Sequence, residues 1–230
     1  MYNYVFEEAE VKRFNFFCSL VVVLTMTVSI IAIAQNITLR TSAPYTFYFN
    51  DTYVVSRVSS EYVNSEMSGM IADFFNSWNP EEFQIYEDTG YDIEGLFDEK
   101  DNHNMLAIKR ALDISLVMAI TSLIITVAIY LYFLKNDFKP VLRNRFKATA
   151  ALTAVLLAFE MFLLNTDKGI AMAMKMLGLK VLEEDSRLAV LLGEGFISLA
   201  DNFLLGFTVC IFIAAAYVTH MLTKPPRIFF

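Results

Sequence analysis

The run FNFFCSLVVVLTMTVSIIAIA, Phe14 to Ala34, decides the fold. Its 21 residues carry no formal charge, and as a helix rising about 1.5 Å per residue they cross a hydrocarbon core of about 30 Å. A secretory signal has a shorter apolar core and a small-x-small cleavage site. This run is too long for such a core and has no small-x-small site backed by a shorter apolar region, so it reads as a retained anchor. Three further apolar runs follow, Ile114 to Leu134, Ala148 to Leu164 and Phe203 to Thr223. The third span is the shortest and is interrupted by Glu160. The expected fold is an all-α membrane protein, four transmembrane helices with a small extracytoplasmic cap.

Composition agrees. The chain has 230 residues, 56% of them hydrophobic, with mean hydropathy +0.47, too apolar for an ordinary soluble domain. A net charge of -7 argues against a nucleic-acid partner, which needs a clustered basic face to offset phosphate charge. Membrane lipids are the expected surroundings. Cys18 and Cys210 both sit in apolar runs, so no disulfide staples the exposed part. That usage fits a bacterial envelope protein.

Positive charge assigns the sides. Lys12 and Arg13 precede the first span, Lys135, Lys139, Arg143, Arg145 and Lys147 fill the connection between the second and third, and Lys224 and Arg227 follow the last. These belong in the cytoplasm of a bacterial plasma-membrane protein. The expected order is a cytoplasmic N-terminus (1–13), a first span (14–34), an outer cap (35–113), a second span (114–134), a cytoplasmic loop (135–147) and a third span (148–164). A second outer segment (165–202), a fourth span (203–223) and a cytoplasmic C-terminus (224–230) complete it.

Within the first outer segment, Arg40 to Val55 contains TFYF and TYVV, the β-branched and aromatic content of strands or extended chain around a turn at Asn50-Asp51. Ser59-Ser60 offers a helix N-cap, and Met67, Met70, Ile71, Phe74 and Phe75 recur at helical spacing. That face is read as the small core of the cap, with docking on lipid as the alternative. Asn79-Pro80 would end the helix, and Gly90 to Gly95 reads as an acidic loop. Glu81, Glu82, Glu87, Asp88, Asp92, Glu94, Asp98, Glu99 and Asp101 lack the alternating register and closing glutamate of a calcium loop, and read as a solvated anionic face. Farther on, Ile170, Met172, Met174, Met176 and Leu177 predict a helix to about Leu179. Asp185 or Ser186 can cap another, Arg187 to Leu199. Both helices are expected at the outer interface, packed against the first outer segment.

Few residues suit chemistry. His103 is the candidate base, because an imidazole titrates near neutral pH, with Glu99 and Asp101 as orienting carboxylates; the plainer reading is a hydrogen-bonded surface histidine. Glu160 lies deep in an apolar run, where a carboxylate costs about 2.5–3.5 kcal/mol on insertion scales. It is either functional or polar glue between helices. His220 near Lys224 reads as an interfacial anchor. The sequence has no GxSxG, HExxH, Walker or GxGxxG motif, so neither a metal nor a nucleotide cofactor is expected.

The stretch LFDEKDNHNMLAIKR, Leu96 to Arg110, and the later LLGEGF, Leu191 to Phe196, resemble motifs of the bacterial membrane-protein family that includes lipoprotein intramolecular transacylase. The first family motif is close to F-x-E-R-E-x-x-H-M-x-D-V-K. Phe97, Glu99, Lys100, Asp101, Met105, Ile108 and Lys109 match it without gaps, and Ala107 stands at its aspartate. The resemblance implies transfer of an acyl chain within the diacylglyceryl-cysteine of a lipoprotein, from the glycerol to the cysteine α-amine, by two outer-face histidines. Asn104 falls at the first histidine position, one residue after His103, and Lys175 falls near the second. The resemblance therefore puts forward His103 as base, with Asn104 and Lys175 as polar support. A reading of another class is a non-catalytic membrane subunit whose acidic cap binds a partner protein or exported chain. A third is a small transporter built around Glu160, against which the absence of an internal repeat argues.

Overall fold

The computed structural model describes residues 2–78, 83–88, 93–164, 166–181 and 186–224, the side chains of 2–10 and of 167 excepted. Asn79-Pro80, Glu81, Glu82, Gly90, Asp92, Asp185 and Arg227 of the sequence reading lie outside them. The described chain is helical apart from one small hairpin. In order it forms α1 (Tyr2–Arg40), α2 (Ala43–Thr52), α3 (Val55–Val58), α4 (Asn64–Asn76), β1 (Tyr86–Asp88), β2 (Ile93–Gly95), α5 (Glu99–Lys135), α6 (Lys139–Leu164), α7 (Asp167–Leu177), α8 (Arg187–Leu192) and α9 (Glu194–Thr223). Four helical segments are long and apolar enough to cross a membrane: Val11–Arg40, Glu99–Lys135, Lys139–Leu164 and Arg187–Thr223. The fold class is thus an α-helical membrane protein with four candidate spans.

The chain divides into two compact units. The first, residues 1–33, 117–157 and 208–230, has a core of Cys18, Val22, Met26 and Ile30 of α1 against Tyr130, Phe133 and Leu142. Hydroxyls turn inward: Thr25 meets Thr126 at 2.8 Å and Tyr130 meets Thr219 at 3.2 Å. Large apolar side chains such as Phe17, Ile124, Leu131, Val155, Ile213 and Tyr217 are exposed. Small polar groups inside and bulky apolar groups outside are what lipid demands, because association there rests on close packing and interhelical hydrogen bonds. The α5–α6 connection is only Asn136 to Phe138, with Asp137 left-handed at φ 59° and the Phe138 N–H closing on Phe133 O at 2.8 Å. Arg143, Arg145 and Lys147 accordingly stand on the first turns of α6.

The second unit, residues 34–116 and 158–207, has its own core. Tyr45 and Phe49 of α2, Val55 and Val58 of α3, and Met67, Ile71, Phe74 and Phe75 of α4 pack with Phe83, Ile85, Leu96, Phe97, Met105, Leu188, Leu191 and Phe196. The ring of Phe196 stacks on Tyr45 at 4.9 Å between centroids, and a Cβ on Gly195 would lie 2.8 Å from the Tyr48 hydroxyl. Core formation by α4 is as expected.

Several local expectations are corrected. Arg40 to Val55 is not a pair of strands: Pro44 in the first turn and burial of Tyr45 and Phe49, four residues apart, make α2 a helix, and the turn falls at Tyr53, not Asn50-Asp51. Ser59 caps a turn, its Oγ accepting from the Glu61 and Tyr62 N–H groups, while α4 starts at Asn64 with Glu66 reaching back to the Val63 N–H. Ile93 to Gly95 is a strand paired antiparallel with Tyr86 to Asp88, not loop. The helix expected to run from Arg187 to Leu199 breaks at Gly193, and its second part is the start of α9. The helix entering the second span begins at Glu99, so Glu99 to Asp113 is helix throughout.

Candidate functional site

Asp98 opens α5, its carboxylate accepting from the Asp101 N–H at 2.7 Å. From there the helix presents Asp101, Asn104, Met105 and Lys109 to the core side at spacings of three and four residues; all four are buried. Asp101 accepts from the Ser186 hydroxyl at 2.6 Å, which itself caps α8 through the Ala189 N–H. The Asn104 amide closes a two-way bracket on the backbone of Lys180: its Nδ2 donates to Lys180 O at 2.9 Å, and its Oδ1 accepts from Lys180 N at 2.8 Å. It is only 3% exposed.

His103 is exposed, about 100° around the helix from Asn104. Its Nε2 lies 3.2 Å from Gly178 O. A carbonyl only accepts, so Nε2 donates in this contact and Nδ1 has no part in it. Gly178 is the left-handed C-cap of α7 at φ 69°, and exposed Lys175 stands in the last turn of that helix. The structure therefore gathers His103, Asn104 and the end of α7 that carries Lys175 at one place, the first turns of α5. Among the described residues Asp101 Oδ1 is engaged by Ser186, and no hydrogen bond joins Asp101 to His103.

Glu160 belongs to another constellation. Its Oε1 accepts from Gln35 Nε2 at 3.2 Å; Ser115 Oγ donates to Gln35 Oε1 at 3.4 Å and accepts from Asn36 Nδ2 at 3.3 Å. Asn36 in turn accepts from Arg40 Nε at 2.9 Å, and Arg40 pairs with Asp113. Lys109, 1% exposed, donates to Phe75 O at 3.0 Å and to Ser77 O at 2.6 Å, with Asp113 at 3.8 Å. Arg40 also donates to Phe75 O. The two cations thus take up the backbone carbonyls at the end of α4, which no intrahelical N–H reaches. Of this chain of groups, sequence reasoning singled out Glu160 for its depth and Lys109 only as a motif match. The Lys109/Asp113 spacing of four residues was the signal for the rest.

Three solved structures share this architecture. All are of the membrane integral lipoprotein intramolecular transacylase Lit from Bacillus cereus. They superpose with TM-scores of 0.76, 0.75 and 0.70 at 15% identity, over 95%, 95% and 93% of this chain and 96%, 97% and 97% of theirs. The fold is that of Lit. In two of the Lit structures a histidine has been replaced, by arginine in one and by alanine in the other. No protein-family model and no curated protein sequence matches the chain. The likeness to Lit therefore lies in the fold, and it supports a membrane location.

Proposed function

We propose that this membrane protein works on lipidated polypeptides at the outer leaflet of a bacterial plasma membrane. In this reading it moves an acyl chain within a diacylglyceryl-cysteine, from the glycerol oxygen to the cysteine α-amine. The observation that carries the reading is the Lit fold, shared over nearly the whole length of both chains. The amine nitrogen attacks the ester carbonyl, and His103 Nδ1 takes the proton it sheds. The carbon–oxygen bond then breaks, and the same proton passes to the departing alkoxide. Lys175 would stabilise the oxyanion formed on the way. Asn104 acts through position alone, by holding the 178–180 segment against which His103 is set.

The test is direct. In cells whose only candidate enzyme is this chain, His103→Ala should abolish lyso-form lipoprotein as read by mass spectrometry. An exposed side chain of this kind should leave stability within about 0.5 kcal/mol of the parent. Undiminished product would remove His103 from the chemistry.

One observation favours a second reading. The residue at the position where the resemblance puts a histidine is an amide, buried and satisfied by Lys180, so the chain would bind a lipidated or exported partner without transforming it. Purification in mild detergent separates the two. A stoichiometric partner, with no transfer on a synthetic diacylglyceryl lipopeptide, would select the binding reading.

A further inference from the structure

Apart from Lys175, the acyl-transfer reading leaves the outer face of α7 unused. Lys168, Met172, Lys175 and Met176 fall on one side of the helix at intervals of four, three and one residues, and all are exposed, Met172 by 57% and Met176 by 77%. Beyond the Gly178 cap, Val181 is 81% exposed and Lys180 is exposed beside it. Ile170 and Met174, on the opposite side, are partly buried.

The start of α7 is fixed by the helix before it. Leu164 ends α6, a helix long and apolar enough to cross a membrane, and three residues later Asp167 begins α7. Three backbone steps reach at most about 11 Å, about twice the headgroup layer on one side of a bilayer, about 5–7 Å, so the start of α7 stays close to the membrane surface. The join is also tight. Thr166 Oγ1 donates to Leu163 O at 3.1 Å and accepts from Gly169 N at 3.2 Å, and a Cβ on Gly169 would fall 1.9 Å from Leu163 O. The N-terminus of α7 is thereby held against the end of α6.

We propose that α7 lies in the headgroup layer of an anionic bilayer, with Met172, Met176 and Val181 immersed among the acyl chains and Lys168 and Lys180 on anionic phospholipid headgroups. Continuity with the apolar span and the lysine-edged apolar stripe select lipid as the occupant. Interfacial helices bind in this way, apolar area and basic charge acting together. His103 bonds the C-cap of α7, so the depth of the helix sets the height of that imidazole above the acyl chains. The depth can be measured whether or not acyl transfer occurs.

The test uses the full chain with Cys18→Ala and Cys210→Ala, reconstituted in vesicles of phosphatidylcholine and phosphatidylglycerol, with a nitrobenzoxadiazole dye on Met176→Cys or, independently, on Val181→Cys. Spin-labelled lipids carrying a shallow nitroxide should quench both dyes strongly, while aqueous iodide should not. Iodide quenching equal to that of the free dye, or protection from both quenchers as under a second protein surface, overturns the proposal. On the anionic vesicles, Lys168→Gln and Lys180→Gln should each lower the embedded-to-exposed ratio roughly fivefold. An equal loss on pure phosphatidylcholine overturns the assignment to anionic lipid.

Discussion

His103 and Asn104 are neighbours in sequence and opposites in setting. A helix turns each residue by about 100°, so one faces solvent at the end of α7 while the other is sealed against Lys180. Asn104→Ala deletes both halves of the bracket and leaves a backbone N–H and C=O of Lys180 unpaired, at about 1–3 kcal/mol. Hydrogen exchange at the Lys180 amide should accelerate roughly tenfold or more, while exchange at residues 119–126 of α5 should not change. Unaltered exchange at Lys180 would show that the bracket holds nothing. Both residues could be named from the sequence as candidates, but their division of labour could not. Only the extension of α5 back to Glu99 turns adjacent positions into different faces. Arg40 carried no signal and Lys109 only a motif match, because charges beside an apolar run look like ordinary span ends. Their partners are main-chain carbonyls of α4, which carry no signature in sequence.

At the level of elements, the misreading of Arg40 to Val55 is instructive. Strand propensity largely reports how a side chain packs on a half-buried surface. Here Tyr45 and Phe49 found a helical burial pattern that the alternation in TFYF concealed. The helix ends on Tyr53, an exposed residue held left-handed at φ 54°, ψ 28°, whose N–H closes on Phe49 O at 2.9 Å. A non-glycine residue there costs about 1–2 kcal/mol, and glycine loses about 0.4–1 kcal/mol through the freedom it adds to the unfolded chain. Tyr53→Gly should therefore stabilise the protein by about 0.5–1 kcal/mol in detergent denaturation. A loss instead would show that the exposed ring is held by something on its outer side.

The β1–β2 hairpin is fastened by Glu87, whose Oε1 accepts from the Ser59 hydroxyl at 2.8 Å and from the Ser60 N–H at 3.1 Å. The Ser59 hydrogen bond is the main reason its carboxyl is held below the usual glutamate value, against a smaller opposing effect of burial. A depressed folded pKa stabilises above the unfolded value of about 4.3 and stops doing so as pH falls through the folded one. Amide protection at Ser60 should therefore fall on acidification below about pH 4. In Glu87→Gln it should be lower at neutral pH and flat across the same range. A titration that survives the substitution would assign the effect to another acid.

For the molecule as a whole, the four spans were legible because lipid leaves so few solutions: each backbone group must be satisfied within its own segment, and long uncharged helices do that. The way residues 34–116 and 158–207 close around Phe75 and Phe196 was not legible, since it joins side chains from α2, α4, α5, α8 and α9 that share no periodicity. Orientation is the remaining global property, and it follows from charge. Lys139, Arg143, Arg145 and Lys147 crowd the start of α6, whereas the carboxylates Glu61, Glu66, Asp73, Glu87, Asp88 and Glu94 stand between α2 and α5. Basic residues resist translocation and acidic ones hardly matter, so the α5–α6 turn should face the cytosol and the carboxylate-bearing segment the exterior. Trp78, fully exposed, and Asp137, at the α5–α6 turn, are suitable reporters. With the native cysteines replaced, Trp78→Cys should react with a membrane-impermeant maleimide in intact cells, and Asp137→Cys only after permeabilisation. The reverse pattern would put His103 on the cytosolic side, out of reach of an outer-leaflet substrate, and would remove acyl transfer and partner binding at the outer face together.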